Sequence, residues 1–531
     1  MKNFVIRFRY IITATVIILT GCQNGDKNRL SRGEGSSWLE EMTIKKLQDG
    51  YRAGKYTVSD VVSAYLARIA EIDKSGPSLN SIIVVNPDAL AIAGNLDRDL
   101  AEGKKPGPLF GVPVVLKDNI DTHDKMATTA GATALRNSIA AADSRVAALL
   151  RRAGAVIIAK SNLSEWANFR AMVSSSGWSG IGGQTRNPYV LDRNPCGSSS
   201  GSGVAVSANL CMVAVGTETN GSIVCPSNNN GIVGIKPTVG LISRTGIIPI
   251  SSTQDTPGPM SRTLTDAVIL LGALTGVDTL DGKTVLSEGR SLKDYTGYLD
   301  ADGLRGKRIG LVKNLMGFSD QVDTLTLRAV AVMKAKGAEV VEVEAPESSG
   351  YEKASMDVML YEFRDGLNSY LSKLDANVPV KNIRQLIDFN LKDSVELKYF
   401  DQKILIRAEA KEDLNSPEYR KALRDMFLGT RDNGIDMLMS KNNLDALIAP
   451  TGSPAWKTDL LNGDHFIGGS SSLAAISGYP AITVPMGFIG ELPVGITFFG
   501  KAWSEGRLIE IAYGYEQSTH FRKPPKYLTT D

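Results

Sequence analysis

Apolar residues recur at helical spacing in several stretches of the chain, and short uninterrupted apolar runs separate those stretches. Thr57 opens a T-x-x-D capping motif, and the apolar residues from Val58 to Ile72 fall on one face of a helix. Two apolar runs, 112–116 and 155–159, flank a further helical segment with polar caps. A strand, a helix and a strand in this order predict parallel pairing, which is typical of an α/β protein.

The second half of the chain repeats this order and is then interrupted. A strand, a helix and a strand are predicted between residues 308 and 343. From 351 to 443 the pattern changes to long polar helical segments, which indicates a helical insertion, more a lid than a separate domain. Strand-like runs return between 444 and 499, and 507–517 predicts a closing helix. We therefore expect one large α/β unit with an insertion.

Composition excludes several classes of protein. The chain has 531 residues, of which 43% are hydrophobic and 22% charged, and its mean hydropathy is -0.07. Disordered and fibrous proteins have other compositions. Lys and Arg number 59 against 57 Asp and Glu, a formal charge of +2. Without the three basic residues of the N-terminal stretch, the 59 Lys and Arg become 56, against 57 Asp and Glu. The charge therefore does not predict a nucleic-acid partner.

The histidines and cysteines restrict the possible chemistry. The histidines of the whole chain are His123, His465 and His520. No two of them have metal-ligand spacing and none sits in a convincing catalytic motif, so we expect neither a metal site nor a cofactor. The cysteines after the N-terminal stretch are Cys196, Cys211 and Cys225. Three cysteines form at most one disulfide, and we expect buried, inert thiols.

The N-terminus predicts secretion. Residues 1–21 combine basic residues with an apolar run of about ten residues, which is too short to cross a bilayer and is typical of a signal peptide. The L-T-G-C ending resembles the lipobox of bacterial lipoproteins, which makes Cys22 the expected lipidated residue, with a flexible tether over 22–37. We expect a membrane-anchored lipoprotein of the cell envelope, on the periplasmic side or in the outer membrane. A short uncleaved anchor helix is the alternative.

Small residues crowd the segment from Cys196 to Ser227 beyond what a core requires. The G-S-S-S-G at 197–201 formally matches the G-x-S-x-G nucleophile elbow, but no strand precedes it. A phosphate-binding loop would need a G-K-[ST] ending, which is missing. A flexible linker would stay polar, whereas apolar segments follow at 204–206 and 212–215. A loop buried against a sheet is the better interpretation.

A serine hydrolase with a lysine base is the remaining interpretation. Glycines let backbone N–H groups approach an oxyanion, and Thr219, Asn220, Gly221 and Ser222 offer such an array. Lys117 directly follows an apolar run, and burial there would lower its pKa towards the working pH. Taken alone, however, a lysine that ends a strand is more often a surface cation.

Four long motifs make this chain resemble the amidase signature family, and within it the bacterial peptide amidases. They are P-L-F-G-V-P-V-V-L-K-D-N-I-D-T at 108–122, G-A-V-I-I-A-K-S-N-L-S-E-W-A-N at 154–168, G-G-Q-T-R-N-P-Y at 182–189, and the segment 231–251 that follows the serine-rich centre. The resemblance covers most of residues 43–520. It implies a single α/β domain, here 38–525, built on a mixed central sheet flanked by helices.

The resemblance also implies a Ser-Ser-Lys triad. The family's lysine falls on Lys117, the serine held by a cis peptide on Ser198, and the nucleophile on Ser222. The oxyanion donors fall on the backbone of Thr219, Asn220, Gly221 and Ser222. Relatives commonly have aspartate or glycine at the position of Asn220. Main-chain donors should leave catalysis intact there, although the tolerated leaving group could differ.

The implied activity is hydrolysis of small amides or of the terminal carboxamide of short peptides, through a serine acyl-enzyme that releases ammonia or an amine. Two alternatives stay open. One is the glutaminase subunit of a tRNA-dependent amidotransferase, against which the lipobox argues. The other is a catalytically silent lipoprotein that uses the fold for binding, against which the three filled triad positions argue.

Overall fold

A mixed eleven-stranded sheet organises the part of the chain that the computed structural model describes, residues 36–530. The strands are β1 (Ile82–Val85), β2 (Pro113–Lys117), β3 (Val156–Ser161), β4 (Trp178–Ser179), β5 (Gly183–Gln184), β6 (Val213–Glu218), β7 (Val233–Lys236), β8 (Thr256–Ser261), β9 (Arg308–Val312), β10 (Glu339–Val343), β11 (Ala446–Pro450), β12 (Ala481–Ile489) and β13 (Leu492–Phe499). The order in the sheet is β1-β3-β2-β6-β8-β7-β12-β13-β11-β9-β10, and β4 pairs separately with β5.

Parallel and antiparallel pairs alternate in blocks along this sheet. Strand β2 runs parallel to β3 and β6, and β9 runs parallel to β10 and β11. The central strands from β6 to β11 pair antiparallel with one another, as does β1 with β3. Every residue of β2, β3 and β6 is buried, as expected of parallel strands covered by helices on both faces. The predicted mixed α/β fold is confirmed.

Helices cover the sheet. They are α1 (Ile44–Arg52), α2 (Val58–Arg68), α3 (Ala89–Ala101), α4 (Arg145–Arg152), α5 (Ser200–Ser207), α6 (Val224–Asn229), α7 (Leu264–Leu274), α8 (Asp320–Ala335), α9 (Ser348–Leu371), α10 (Ile383–Asn390), α11 (Lys403–Glu409), α12 (Pro417–Phe427), α13 (Asp436–Asn442), α14 (Ser471–Ser477) and α15 (Glu505–Thr519). The predicted capping box at α2 is present: Asp60 N–H donates to Thr57 Oγ1 at 3.0 Å, and Thr57 N–H donates to Asp60 Oδ2 at 2.9 Å.

The predicted helical insertion is present as α9 to α13, with bounds within a few residues of 351–443. Its first helix packs on the loops beside the sheet. Phe363 of α9 meets Phe169 edge to face, with ring centroids 5.0 Å apart, and both belong to one buried cluster with Ile250. The insertion is therefore part of the same packed body and forms one wall above the carboxyl end of β2.

Candidate active site

Lys117 is a buried cation at the carboxyl end of β2. The apolar residues before it set it in the interior, where its side chain is 0% exposed. Nζ lies 2.7 Å from Ser198 Oγ and donates to Thr217 Oγ1 at 2.9 Å and to Thr217 O at 3.1 Å. The structure thus brings together two of the three residues that the resemblance assigned to the triad, and adds Thr217.

Burial lowers the pKa of Lys117 from 10.5 to about 7, because the charged amine is removed from water. The carboxylates of Asp255 and Glu218 act in the opposite direction and raise it. Desolvation prevails, so near neutral pH a large share of the molecules hold this amine in its neutral form.

Ser198 lies in the loop before α5, after the cis peptide bond between Gly197 and Ser198 that the resemblance implied. Its carbonyl accepts from Ser164 N–H at 3.1 Å. The next two serines support the loop: Ser199 Oγ donates to Thr217 O at 3.0 Å, and Ser200 Oγ donates to Cys196 O at 2.6 Å. No strand leads into this loop from the residues just before it, which removes the nucleophile-elbow interpretation.

Ser222 occupies a tight turn between β6 and α6. Gly221, with φ of +82°, makes the turn in a conformation that favours glycine, and a Cβ there would lie 3.0 Å from Ser471 Oγ. Glu218 Oε2 accepts from the N–H groups of Ile223 at 2.7 Å and Val224 at 3.0 Å. A buried carboxylate therefore holds the backbone that directly follows the serine.

Neighbouring side chains hold the same turn from its other side. Thr219 Oγ1 donates to Asp255 Oδ1 at 2.6 Å. Ser471 Oγ donates to Asn220 Oδ1 at 2.7 Å, and Asn220 Nδ2 donates to Ser472 Oγ at 3.3 Å. Asn220 thus ties the turn to the start of α14, a contact that its place in the sequence did not predict.

A cavity of about 480 Å³ opens over this turn. Gly197, Thr219, Asn220 and Ser222 line one side of it. The opposite walls are mostly apolar and come from the loop after β3 and from the helical insertion; they include Phe169, Met172, Met356, Met359 and Ile404. A second cavity, of about 250 Å³, adjoins it at Ala167 and Ile250 and reaches Thr217.

Asp464 carries the only ionisable side chain among the residues that line the larger cavity, all of which belong to the described chain. Its carboxylate accepts from Ser176 Oγ at 2.6 Å, Trp456 Nε1 at 3.1 Å and Asn194 Nδ2 at 3.2 Å. Burial raises the pKa of this carboxyl, while the hydrogen bonds lower it. The cavity therefore presents apolar surface, amide and hydroxyl groups and one carboxylate, with no cation in its lining.

Sequence reasoning missed Thr217, Asp255, Glu218 and Asp464. The first three stand beside recognised motifs, and T-E-T-N-G-S at 217–222 already contains two of them. Asp464 comes from a distant loop, and no local pattern marks it. The three histidines do not meet at this site, and the described residues hold no group of three His, Cys, Asp or Glu side chains fit to bind a metal ion.

The Amidase family model matches residues 60–509, so the chain belongs to the amidase family and is an amide hydrolase. The peptide amidase from Stenotrophomonas maltophilia superposes with a TM-score of 0.88 at 47% identity, over 92% of this chain and 99% of that chain. A probable amidase of Arabidopsis thaliana is 41% identical over 92% of both chains. A glutamyl-tRNA(Gln) amidotransferase subunit of Carboxydothermus hydrogenoformans is 32% identical over 91% of this chain and 99% of its own. The family resemblance is confirmed.

The comparisons contradict the predicted location in the cell envelope. The similar chains are two amidases and an amidotransferase subunit, matched over nearly their whole length, and none of them is named as a lipoprotein or a membrane protein. A four-residue L-T-G-C match is a weak signal beside a likeness that spans 92% of the chain. The signal peptide at 1–21, the lipidation of Cys22 and nearly all of the tether at 22–37 lie outside the described residues. From residue 36 to 530, no helix is long and apolar enough to span a bilayer.

The cysteines also differ from expectation. Cys196 and Cys225 form a disulfide, with their Cα atoms 5.9 Å apart, where we expected free thiols. Cys211 is a buried free thiol, as expected. Which cysteines meet depends on the fold, because the two that pair are 29 residues apart.

Proposed function

We propose that this amide hydrolase cleaves the terminal carboxamide of short peptides and other small amides through an acyl-enzyme on Ser222, with Lys117 and Ser198 as its proton relay. The observation that carries the proposal is the 2.7 Å contact between Lys117 Nζ and Ser198 Oγ, made by an amine with a pKa of about 7 beside the cavity that Ser222 lines.

The relay begins with the neutral amine. Lys117 accepts the Ser198 proton, Ser198 accepts the Ser222 proton, and the Ser222 oxygen attacks the amide carbonyl. Backbone N–H groups of residues 219–222 stabilise the oxyanion of the tetrahedral intermediate. The proton returns through Ser198 to the leaving nitrogen, since an amide anion is too poor a leaving group to depart unprotonated. Ammonia or an amine leaves, and water then hydrolyses the acyl-enzyme by the same relay.

The lining of the larger cavity supports a neutral substrate. Phe169, Met356 and Ile404 offer apolar surface for a side chain beside the scissile carboxamide, and Asp464 repels an acidic one. A like-charge contact across a partly solvated cavity costs about 1 to 2 kcal/mol. We therefore expect kcat/KM for leucinamide or phenylalaninamide to exceed that for the α-amide of glutamate by about tenfold or more, and Asp464→Asn to narrow the difference. Equal kcat/KM values for both substrates would contradict this account of the cavity.

Because the predicted location in the cell envelope is wrong, the lipobox no longer argues against the amidotransferase alternative. The choice of a hydrolase now rests on the higher identity to the peptide amidase, 47% against 32% to the amidotransferase subunit. Release of ammonia from amidated peptides by the chain alone, with glutamine a poor substrate, supports the hydrolase. Preference for glutamine would favour the amidotransferase subunit.

Labelling tests the nucleophile without knowledge of the substrate. A fluorophosphonate should add once to the wild type, with the adduct mapped to Ser222 by peptide mass spectrometry, and Ser222→Ala should take up none. Ser372→Ala is a matched control at the exposed C-terminal end of α9 and should label like the wild type. An adduct on Ser199 or Ser200 instead would overturn the assignment.

A further inference from the structure

The disulfide joins the loop that carries Ser198 to the helix that follows the turn of Ser222. Cys196 stands two residues before Ser198, and Cys225 stands three residues after Ser222. The first cysteine lies in the loop that leads into α5 and the second in α6. The bond therefore closes a covalent ring that contains both proposed relay serines.

Hydrogen bonds connect each cysteine to residues beside the serine on its own side. Cys196 N–H donates to Asn194 Oδ1 at 2.8 Å, and Cys196 O accepts from Ser200 Oγ at 2.6 Å. Cys225 N–H donates to Gly221 O at 2.8 Å. A shift of either cysteine would thus be passed directly to the loop of Ser198 or to the turn of Ser222.

Next to the two serines, the hydrogen bond that joins the loop of Ser198 to the turn of Ser222 is long. Ser199 N–H donates to Ser222 O at 3.2 Å, near the long end of the usual range. Proton transfer between two hydroxyls depends steeply on their separation, and a misplacement of about 1 Å costs on the order of 100-fold in rate. A covalent tie close to both serines is suited to hold such a separation.

We propose that the Cys196–Cys225 disulfide is a positioning element for the reaction, which fixes Ser198 relative to Ser222 without touching the substrate. The inference rests on the proposed serine relay. Loss of the bond should lower kcat and the rate of Ser222 acylation by about 10- to 100-fold. KM should stay nearly constant, because the cavity walls that hold the substrate come largely from other segments.

Alanine variants provide the test and its control. Cys196→Ala, Cys225→Ala and the double variant each remove the same bond, so all three should lose kcat to the same extent. Cys211→Ala changes a buried cysteine outside the disulfide and should keep the wild-type rate. Circular dichroism at the assay temperature should show all variants folded.

Reduction of the wild type gives an independent measurement. Dithiothreitol transfers two electrons and two protons to the disulfide, which becomes two thiols, while the reagent becomes its cyclic disulfide. Cys225 is partly exposed, which gives the reductant access. Alkylation and peptide mapping would verify that both thiols are free. The reduced wild type should match the double variant in kcat, and dithiothreitol should leave that variant unchanged.

The outcomes separate this proposal from the proposed function. Absence of Ser222 labelling and of amide turnover in the oxidised wild type would overturn both. Normal labelling of the wild type with equal acylation rates in the double variant would overturn only the positioning role. Unfolding on loss of the bond, in the variant and on reduction alike, would also overturn it, since the bond would then act on stability. A rise in KM at constant kcat would contradict it as well.

Discussion

Removal of the Lys117 amine is the most direct perturbation of the proposed relay. An ordinary lysine with a pKa of 10.5 is neutral in only about one molecule in 3,000 at pH 7, whereas a pKa of about 7 leaves about half of the molecules neutral. The buried position of Lys117 therefore raises the population of its neutral amine by about 1,500-fold at that pH. Most of the reactivity of the site should depend on this one shift.

The sign of the pH dependence follows from the same shift. Protonated Lys117 has no lone pair for the Ser198 proton, so kcat/KM should rise with pH and level off above about 7, the folded-state pKa. Lys117→Ala and Ser198→Ala should each lower kcat by about 100- to 10,000-fold, the range of general acid–base catalysis. Because the two residues act in one relay in the proposed mechanism, the double variant should lose little more than either single variant.

The assay is ammonia release from an amidated dipeptide between pH 5 and 9, with Ser222 labelling as a second readout. Lys236 supplies a matched control, since it is also fully buried and its pKa is lowered to about 8, yet it lines neither cavity at the site. Lys236→Ala should keep the rise of kcat/KM with pH. A Lys117→Ala variant that keeps both its rate and the rise of kcat/KM with pH would refute the lysine base. Additive losses in the double variant would refute the relay.

Two further predictions concern carboxylates around the site. Asp255→Asn should move the rising limb of kcat/KM to lower pH by less than about one unit, because this carboxylate raises the pKa of Lys117. The shift should show above pH 6, since burial raises the pKa of Asp255 itself to about 6, and an unmoved or upward-shifted limb would contradict it. Glu396→Ala should lower the free energy of unfolding by about 2 kcal/mol in urea titrations. Glu396 joins the helical insertion to the loops after β2 and β3: it accepts from Thr133 N–H at 2.6 Å and is one of two carboxylates that pair with buried Arg170. A change below 1 kcal/mol would mean that this ion pair does not stabilise the insertion.

The sequence predicts the elements of this fold better than their assembly. Strands β2 and β3 and helix α15 begin and end within two residues of their predicted bounds, because periodicity and caps are local signals. The antiparallel centre of the sheet followed only from the family resemblance, since pairing across long separations leaves no local mark. The helical segments of the insertion were recognisable, but its contribution of Met356 and Ile404 to the cavity depends on how it packs.

In the site, too, the individual residues could be predicted better than their assembly. Lys117 was recognisable because it stands in a long motif, and Ser222 because it stands in the serine-rich centre that the motifs flank. The lowered pKa of Lys117 could be anticipated from the apolar run before it. The disulfide was not anticipated, because three cysteines allow several pairings and local sequence does not choose among them. The L-T-G-C ending gave a wrong prediction of the location, because a motif of four residues is a weak signal when the rest of the chain does not support it.

The two carboxylates nearest the relay show why the pKa of Lys117 settles near neutrality. Glu218 holds the backbone N–H groups that follow Ser222, and Asp255 holds the Thr219 side chain that precedes it. Both raise the pKa of Lys117 while burial lowers it. Removing both charges would make the amine neutral at lower pH, but it would release the turn that carries the proposed nucleophile. The same groups therefore set the position of the proposed nucleophile and limit how far the pKa of its base can fall.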